Sequence, residues 1–212
     1  MDTDMDTGTD ADTNADADAG TDTDTERAGR QLRLIAETAG IAAALGVEVR
    51  LRGGWAMDFF LGRPTRDHED VDWFAWSEDA PALTAALLDA GYEPLPGPPA
   101  GQQLDFVKEG EESSFALLAR GTDGRPVVAG GPWAGEPWPR DMLDGPAGRI
   151  GELECAIVSP SAQIEIKRMT PVWIPGRPRR AKDVRDIARL EEALRSRGPA
   201  RPARAAAGGD PR

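Results

Sequence analysis

The chain has 212 residues, room for one domain with a sizeable apolar core. Its net charge of −12 is unevenly placed, because residues 1–26 carry nine Asp and one Glu without any Lys or Arg, leaving about −2 for the rest. A body so near neutral gives no electrostatic case for nucleic-acid binding, the single Cys155 excludes an intramolecular disulfide framework, and no stretch approaches the length of a membrane span.

The start of the chain is built from Asp, Thr, Ala and Gly, has little to bury, and is expected to be disordered. It lacks both the basic region of a signal peptide and the Gly and Glu pattern of an EF-hand loop. Together with the lone cysteine, this points to a cytoplasmic protein. Arg27 to Leu45 reads as a helix, with Leu32, Ile35, Ala39, Ala42 and Ala43 near one face and Gly46 as its cap. A strand over 47–52 follows, then Gly53-Gly54 and an apolar helix, Trp55 to Leu61, stopped by Gly62 and Pro64. Asp70-Val71-Asp72 opens a buried strand that ends at Trp76.

Ala80 to Ala90 is a helix by its leucine spacing, and Leu104–Lys108 with Ser114–Arg120 form a hairpin around Glu109-Gly110-Glu111. Residues 121–149, rich in Gly and Pro, read as a long surface excursion carrying Trp133 and Trp138. Glu152 to Val158 is a strand. Ser159-Pro160 opens a helix reaching about Met169, and Lys182 to Arg197 is a final amphipathic helix. From Gly198 a Pro/Ala/Arg tail is expected to be disordered. The expected organisation is therefore an acidic tail over 1–26, one domain over 27–197 and a second tail over 198–212.

The chemistry concentrates between residues 51 and 73. Two glycines at a helix start let the backbone approach a ligand and leave N–H groups for phosphate, although a mere tight turn would use the same residues. Asp70 and Asp72, two apart on a strand, point the same way. Such carboxylates repel unless a cation lies between them, and Mg²⁺ suits a few carboxylates plus substrate phosphates. The bland reading of the pair is a charged strand end.

The run Gly53-Gly54-Trp55-Ala56-x-Asp58-x-x-x-Gly62-Arg63-x-Thr65-Arg66-x-His68-x-Asp70-x-Asp72 resembles the small antibiotic nucleotidyltransferases, in particular the aminoglycoside 2''-adenylyltransferase and lincosamide nucleotidyltransferase group. The resemblance is dense over 47–76, thin to about residue 195 and absent from both tails. It implies an α/β (mixed) nucleotidyltransferase fold, a short mixed sheet flanked by helices. It also implies Mg²⁺ held by Asp70 and Asp72, and transfer of a nucleoside monophosphate, AMP from ATP, to a hydroxyl of a small molecule such as an aminoglycoside or lincosamide. Gly53, Gly54, Arg66 and Lys167 are the expected nucleotide contacts, with Lys182 a weaker candidate. Arg66 either reaches phosphate or pairs with Asp58, and His68 either acts as a base or, the favoured reading, orders the loop before Asp70. Trp73 and Trp76 are expected in the core; Trp133, Trp138 and Trp173 are candidate stacking surfaces for substrate.

One feature departs from the family pattern. A third carboxylate is expected on the second strand of the hairpin, yet Phe115 takes that place and 114–120 holds no acid. Asp105, on the neighbouring strand, is the first replacement as catalytic acid or base, and Glu165 the second. The alternatives are an RNA- or protein-modifying transferase of toxin type, or a nucleotide-binding protein with impaired turnover. An acidic pocket around the aspartates would suit a polycationic acceptor.

Overall fold

The computed structural model describes residues 15–197 apart from Pro98, Ala100 and Pro175. Five helices and a mixed sheet make an α/β fold. Helix α1, Ala15–Leu45, leads to strand β1, Val49–Leu51; α2, Gly53–Leu61, and β2, Asp70–Trp76, follow. Then come α3 (Ala80–Asp89), β3 (Glu93–Pro94), β4 (Gln103–Lys108), β5 (Glu111–Arg120) and β6 (Pro126–Val128). Strands β7 (Ala147–Ile150) and β8 (Leu153–Ala156) precede α4 (Pro160–Trp173) and α5 (Ala181–Arg197).

The large sheet runs β1-β2-β5-β4-β3, with β6 beside β5. The β2–β5 pair is parallel and the other neighbours are antiparallel. Strand alternation splits β2 into two sets. Val71, Trp73 and Ala75 face the main core with Phe106, Phe115 and Leu117, under side chains of α1, α2 and α3. Trp73 lies parallel to Phe115, ring centroids 6.1 Å apart, and each fully buried aromatic of this kind contributes about 2–3 kcal/mol. The opposite face carries Asp70, Asp72, Phe74 and Trp76. A smaller core formed by Met142, Val158 and Ala162, with Trp138 and Ile166 against it, covers Phe74 and Trp76. Asp70 and Asp72 lie at the end of that face, where the cover stops.

Several elements differ from the sequence expectation. Helix α1 starts at Ala15, inside the stretch read as a disordered tail. The tail readings for residues 1–14 and 198–212 fall outside the described residues. The excursion after β5 is not all loop, since β6 and β7 are strands. A Cβ on Gly148 of β7 would lie 2.6 Å from the Phe59 Cβ, so this glycine permits contact with α2 rather than marking a turn. Helix α4 continues past Met169 through Pro171 to Trp173. Its start is as expected, with the Ser159 hydroxyl accepting from the Ala162 amide. No described helix is long and apolar enough to cross a membrane.

Candidate active site

A cavity of about 240 Å³ opens where β2 emerges from its cover, between the N-terminus of α2 and helices α4 and α5. Asp70, Asp72, Gly53, Gly54, Arg66 and Lys167 all line it, as does Lys182. Six of the seven residues expected at the site thus meet in one cavity; Asp105 does not line it.

Gly53 has a φ of +70°, and a Cβ there would lie 2.3 Å from Asp72 Oδ2. At Gly54 a Cβ would lie 2.3 Å from His68 Nδ1. The two glycines therefore let Asp72, His68 and Arg66 close on the start of α2. Burial and the neighbouring Asp72 charge raise the Asp70 carboxyl above the usual carboxylate range. A pair strained in this way fits a divalent cation. Among the described residues no group of three or more His, Cys, Asp or Glu gathers for a metal; a divalent cation at the two aspartates would need substrate oxygens and water to complete its shell.

Behind the glycines runs a buried polar chain. Arg66 Nη1 lies 3.0 Å from His68 Nδ1, and a guanidinium can only donate, so Nδ1 accepts. The other ring nitrogen, Nε2, then donates to Asp58 Oδ2 at 2.7 Å. Asp58 also accepts from the Thr65 amide and hydroxyl. Both histidine nitrogens are thus engaged, and His68 orders the loop as the favoured reading has it. The Arg66 guanidinium pairs with Asp186 of α5 at 3.1 Å, not with Asp58.

Acids of helix α5 hold two further cations. Asp186, fully buried, also receives Lys167 at 3.0 Å, and Asp183 receives Arg180 at 2.9 Å. Burial acts to raise the Asp186 carboxyl, but the Arg66 hydrogen bond and the Lys167 charge outweigh it and hold the group below its ordinary range. Lys182 reaches Glu69 at 3.2 Å. Around the cavity Arg52, Arg66, Lys167, Arg177, Arg180 and Lys182 outnumber Glu69, Asp70, Asp72 and Asp183. The expected acidic pocket is therefore overturned. The acids of β2 are answered by a cationic wall from α4, α5 and the loop between them, which matches a polyanion.

On the sheet side, Ser114 of β5 is registered with Asp72, and Glu112 with Asp70. Ser114 is in turn registered with Asp105 of β4, which places all three on one face. Phe115 points into the core. Glu165 is exposed on α4 outside the cavity, so it is no substitute acid. Among the described residues no tryptophan lines the cavity. Trp138 packs on Phe74 and on Trp173, with ring centroids 5.0 and 6.3 Å apart. Trp73 and Trp76 are buried as expected. Cys155 is buried outside the cavity, and burial pushes its thiol up to about 12.

Sequence reasoning missed Glu112, because it began the second hairpin strand at Ser114 rather than Glu111. It also passed over Arg52, Arg180 and Asp186. The cluster Arg177-x-Arg179-Arg180-x-Lys182-Asp183 was the signal available for the cationic wall.

A family model described as aminoglycoside-2''-adenylyltransferase matches residues 35–190. Among solved structures, the chain resembles the lincosamide antibiotic adenylyltransferase LnuA with lincomycin bound, at 18% identity and a TM-score of 0.58, over 73% of this chain and 92% of that one. It also resembles ANT(2'')-Ia in complex with adenylyl-2''-tobramycin, at 22% identity and a TM-score of 0.62, over 80% of this chain and 90% of that one. At these identities the likeness is one of fold. Curated protein sequences yield no match.

Proposed function

Since the chain belongs to the aminoglycoside-2''-adenylyltransferase family and is thus a nucleotidyltransferase, we propose that it moves AMP from ATP to a hydroxyl of a small, antibiotic-like molecule in the cytoplasm, with Mg²⁺ as cofactor. The observation that carries this reading is the pairing of Asp70 and Asp72 with a cationic wall across one cavity. Asp70 and Asp72 would hold Mg²⁺, which supplies positive charge to the triphosphate when bound. The first amides of α2 at Gly53 and Gly54 face the phosphates, and Arg66, Lys167, Arg180 and Lys182 neutralise them. The acceptor approaches from the β5 side, where Ser114 and Glu112 flank the aspartates. Its hydroxyl attacks the α-phosphorus in line, and pyrophosphate leaves along the cationic wall. Asp105 serves this side of the reaction.

The acceptor class is supported by the family and by the molecules bound to the two structural neighbours, lincomycin and adenylyl-2''-tobramycin. The cationic wall favours acceptors that keep their own positive charge on the sheet side. A nucleotide-binding protein of poor turnover is the rival reading, favoured by Ser114 standing beside Asp72 in place of an acid.

Incubation with each nucleoside triphosphate, Mg²⁺ and a panel of aminoglycosides and lincosamides tests both. Pyrophosphate release and a mass gain of one AMP on an acceptor are the expected results. Asp70→Asn and Asp72→Asn should each abolish turnover while keeping the melting temperature, because removing one crowded charge relieves repulsion. MgATP binding without product across the panel would establish the rival.

A further inference from the structure

Asp72, Ser114 and Asp105 form a row across three adjacent strands, β2, β5 and β4, with all three side chains on the open face. Neighbouring strands lie about 4.8 Å apart, so Asp105 stands about 10 Å from Asp72, beyond direct reach of an acceptor held beside the aspartates. Ser114 occupies the space between. Its Oγ donates to Asp105 Oδ1 at 2.7 Å, so the hydroxyl proton is committed toward β4 and the oxygen lone pairs remain for a donor on the Asp72 side. Gln103 Nε2 donates to the same Oδ1, also at 2.7 Å, and fixes the carboxylate against Ser114. Neither Ser114 nor Asp105 is buried, so a substrate can reach the first and water the second. The other candidate bases near the aspartates are committed or misplaced: Glu69 pairs with Lys182 at 3.2 Å. Both ring nitrogens of His68 are engaged, and Glu112 lies one residue pair further along, beside Asp70.

From this row we infer that Ser114 is a catalytic residue that relays the acceptor's proton to Asp105. The inference rests on the transferase reading above. As the acceptor oxygen forms its bond to the α-phosphorus, the bond from that phosphorus to the bridging oxygen breaks and pyrophosphate departs with the electron pair. The acceptor's proton passes to Ser114 Oγ while the Ser114 proton passes to Asp105 Oδ1. Asp105, now protonated, returns its proton to water, and Ser114 ends as it began. Atoms and charge balance without a further reactant.

The test measures pyrophosphate release from MgATP with tobramycin, lincomycin or water as acceptor, alongside MgATP binding, in the full chain. General-base assistance is worth about 10²–10⁴ in rate. Ser114→Ala should therefore lower turnover at least tenfold with MgATP binding unchanged, and Ser114→Thr, which keeps the hydroxyl, should restore most of it. Asp105→Asn should match the alanine variant, and the double variant should be no slower than either single one, because both remove the same path. Turnover of Ser114→Ala within about threefold of the parent would overturn the relay. So would full additivity of the two substitutions, or a loss confined to Glu112→Gln. A parent protein that binds MgATP yet releases no pyrophosphate with any of the three acceptors would instead sink the transferase reading, and the relay with it.

Discussion

At the scale of single residues, the site depends on side chains that leave no room for substitutes. Gly53→Ala would place a methyl 2.3 Å from Asp72 Oδ2 at a φ of +70°. It should displace that carboxylate and cut Mg²⁺-dependent turnover by an order of magnitude or more, with a modest loss of stability of about 1–2 kcal/mol. Calorimetry and a pyrophosphate assay on the same protein would check both. Asp186→Asn acts differently, because it strands Lys167 and Arg66. Its cost at pH 7 should be on the order of 2–3 kcal/mol, below that of a fully enclosed pair because Arg66 keeps 21% exposure. The sign with pH follows from a depressed carboxyl. The stabilisation is present above the unfolded aspartate value of about 4 and is lost as pH falls through the folded value below it. Urea titrations should therefore show the gap between parent and variant wide at pH 7 and closing in acid. Asp70, Asp72 and the glycines were legible in the sequence because their relation is local, a strand alternation and a helix start. Asp186 was not, since only the packing of α5 on α4 makes it differ from any acid on an amphipathic helix.

At the scale of elements, α1 is fastened by one buried acid. Glu111, at the first position of β5, accepts from Arg27, Arg30 and Gln31. The amide nitrogen of Gln31 also donates to the His68 carbonyl, and its oxygen accepts from the Trp55 indole. Glu111→Ala should destabilise the protein by about 3 kcal/mol and raise hydrogen exchange along α1 before other helices open. Equal exchange in all helices of the variant would contradict this. Most element boundaries follow the expected periodicity and caps, as in α3, α5 and the Ser159 start of α4. Two of the misses share a physical cause: Gly148 and Pro171 are residues whose local meaning is a break. At β7 the glycine answers a neighbour, and in α4 the helix simply carries its proline for one more turn.

For the whole molecule, one sheet end is covered and the other left open, and the open end is where charge of both signs is gathered. Ligand binding there couples to global stability. MgATP at a hundredfold excess over its Kd should add about 2.7 kcal/mol, a rise in melting temperature of about 5–10 °C, and ATP with EDTA should give much less. An equal shift in EDTA would remove the aspartates from the nucleotide site. That one face of β2 would be apolar and the other chemical was readable from Asp70 to Trp76. What covers the second face was not, because the small core over Phe74 and Trp76 draws Met142, Val158 and Trp138 from segments far along the chain. The acids of α5 bear on how this site works through a cycle. Asp183 and Asp186 already pair with Arg66, Lys167 and Arg180, so on the proposed reading nucleotide capture would be an exchange of anions rather than an addition to bare charges. Each contact then yields less than its geometry suggests, but the cations wait in place with no search. After transfer the same carboxylates would compete for Lys167 and Arg180 once more, and that competition would help to expel pyrophosphate and reset the wall for the next nucleotide.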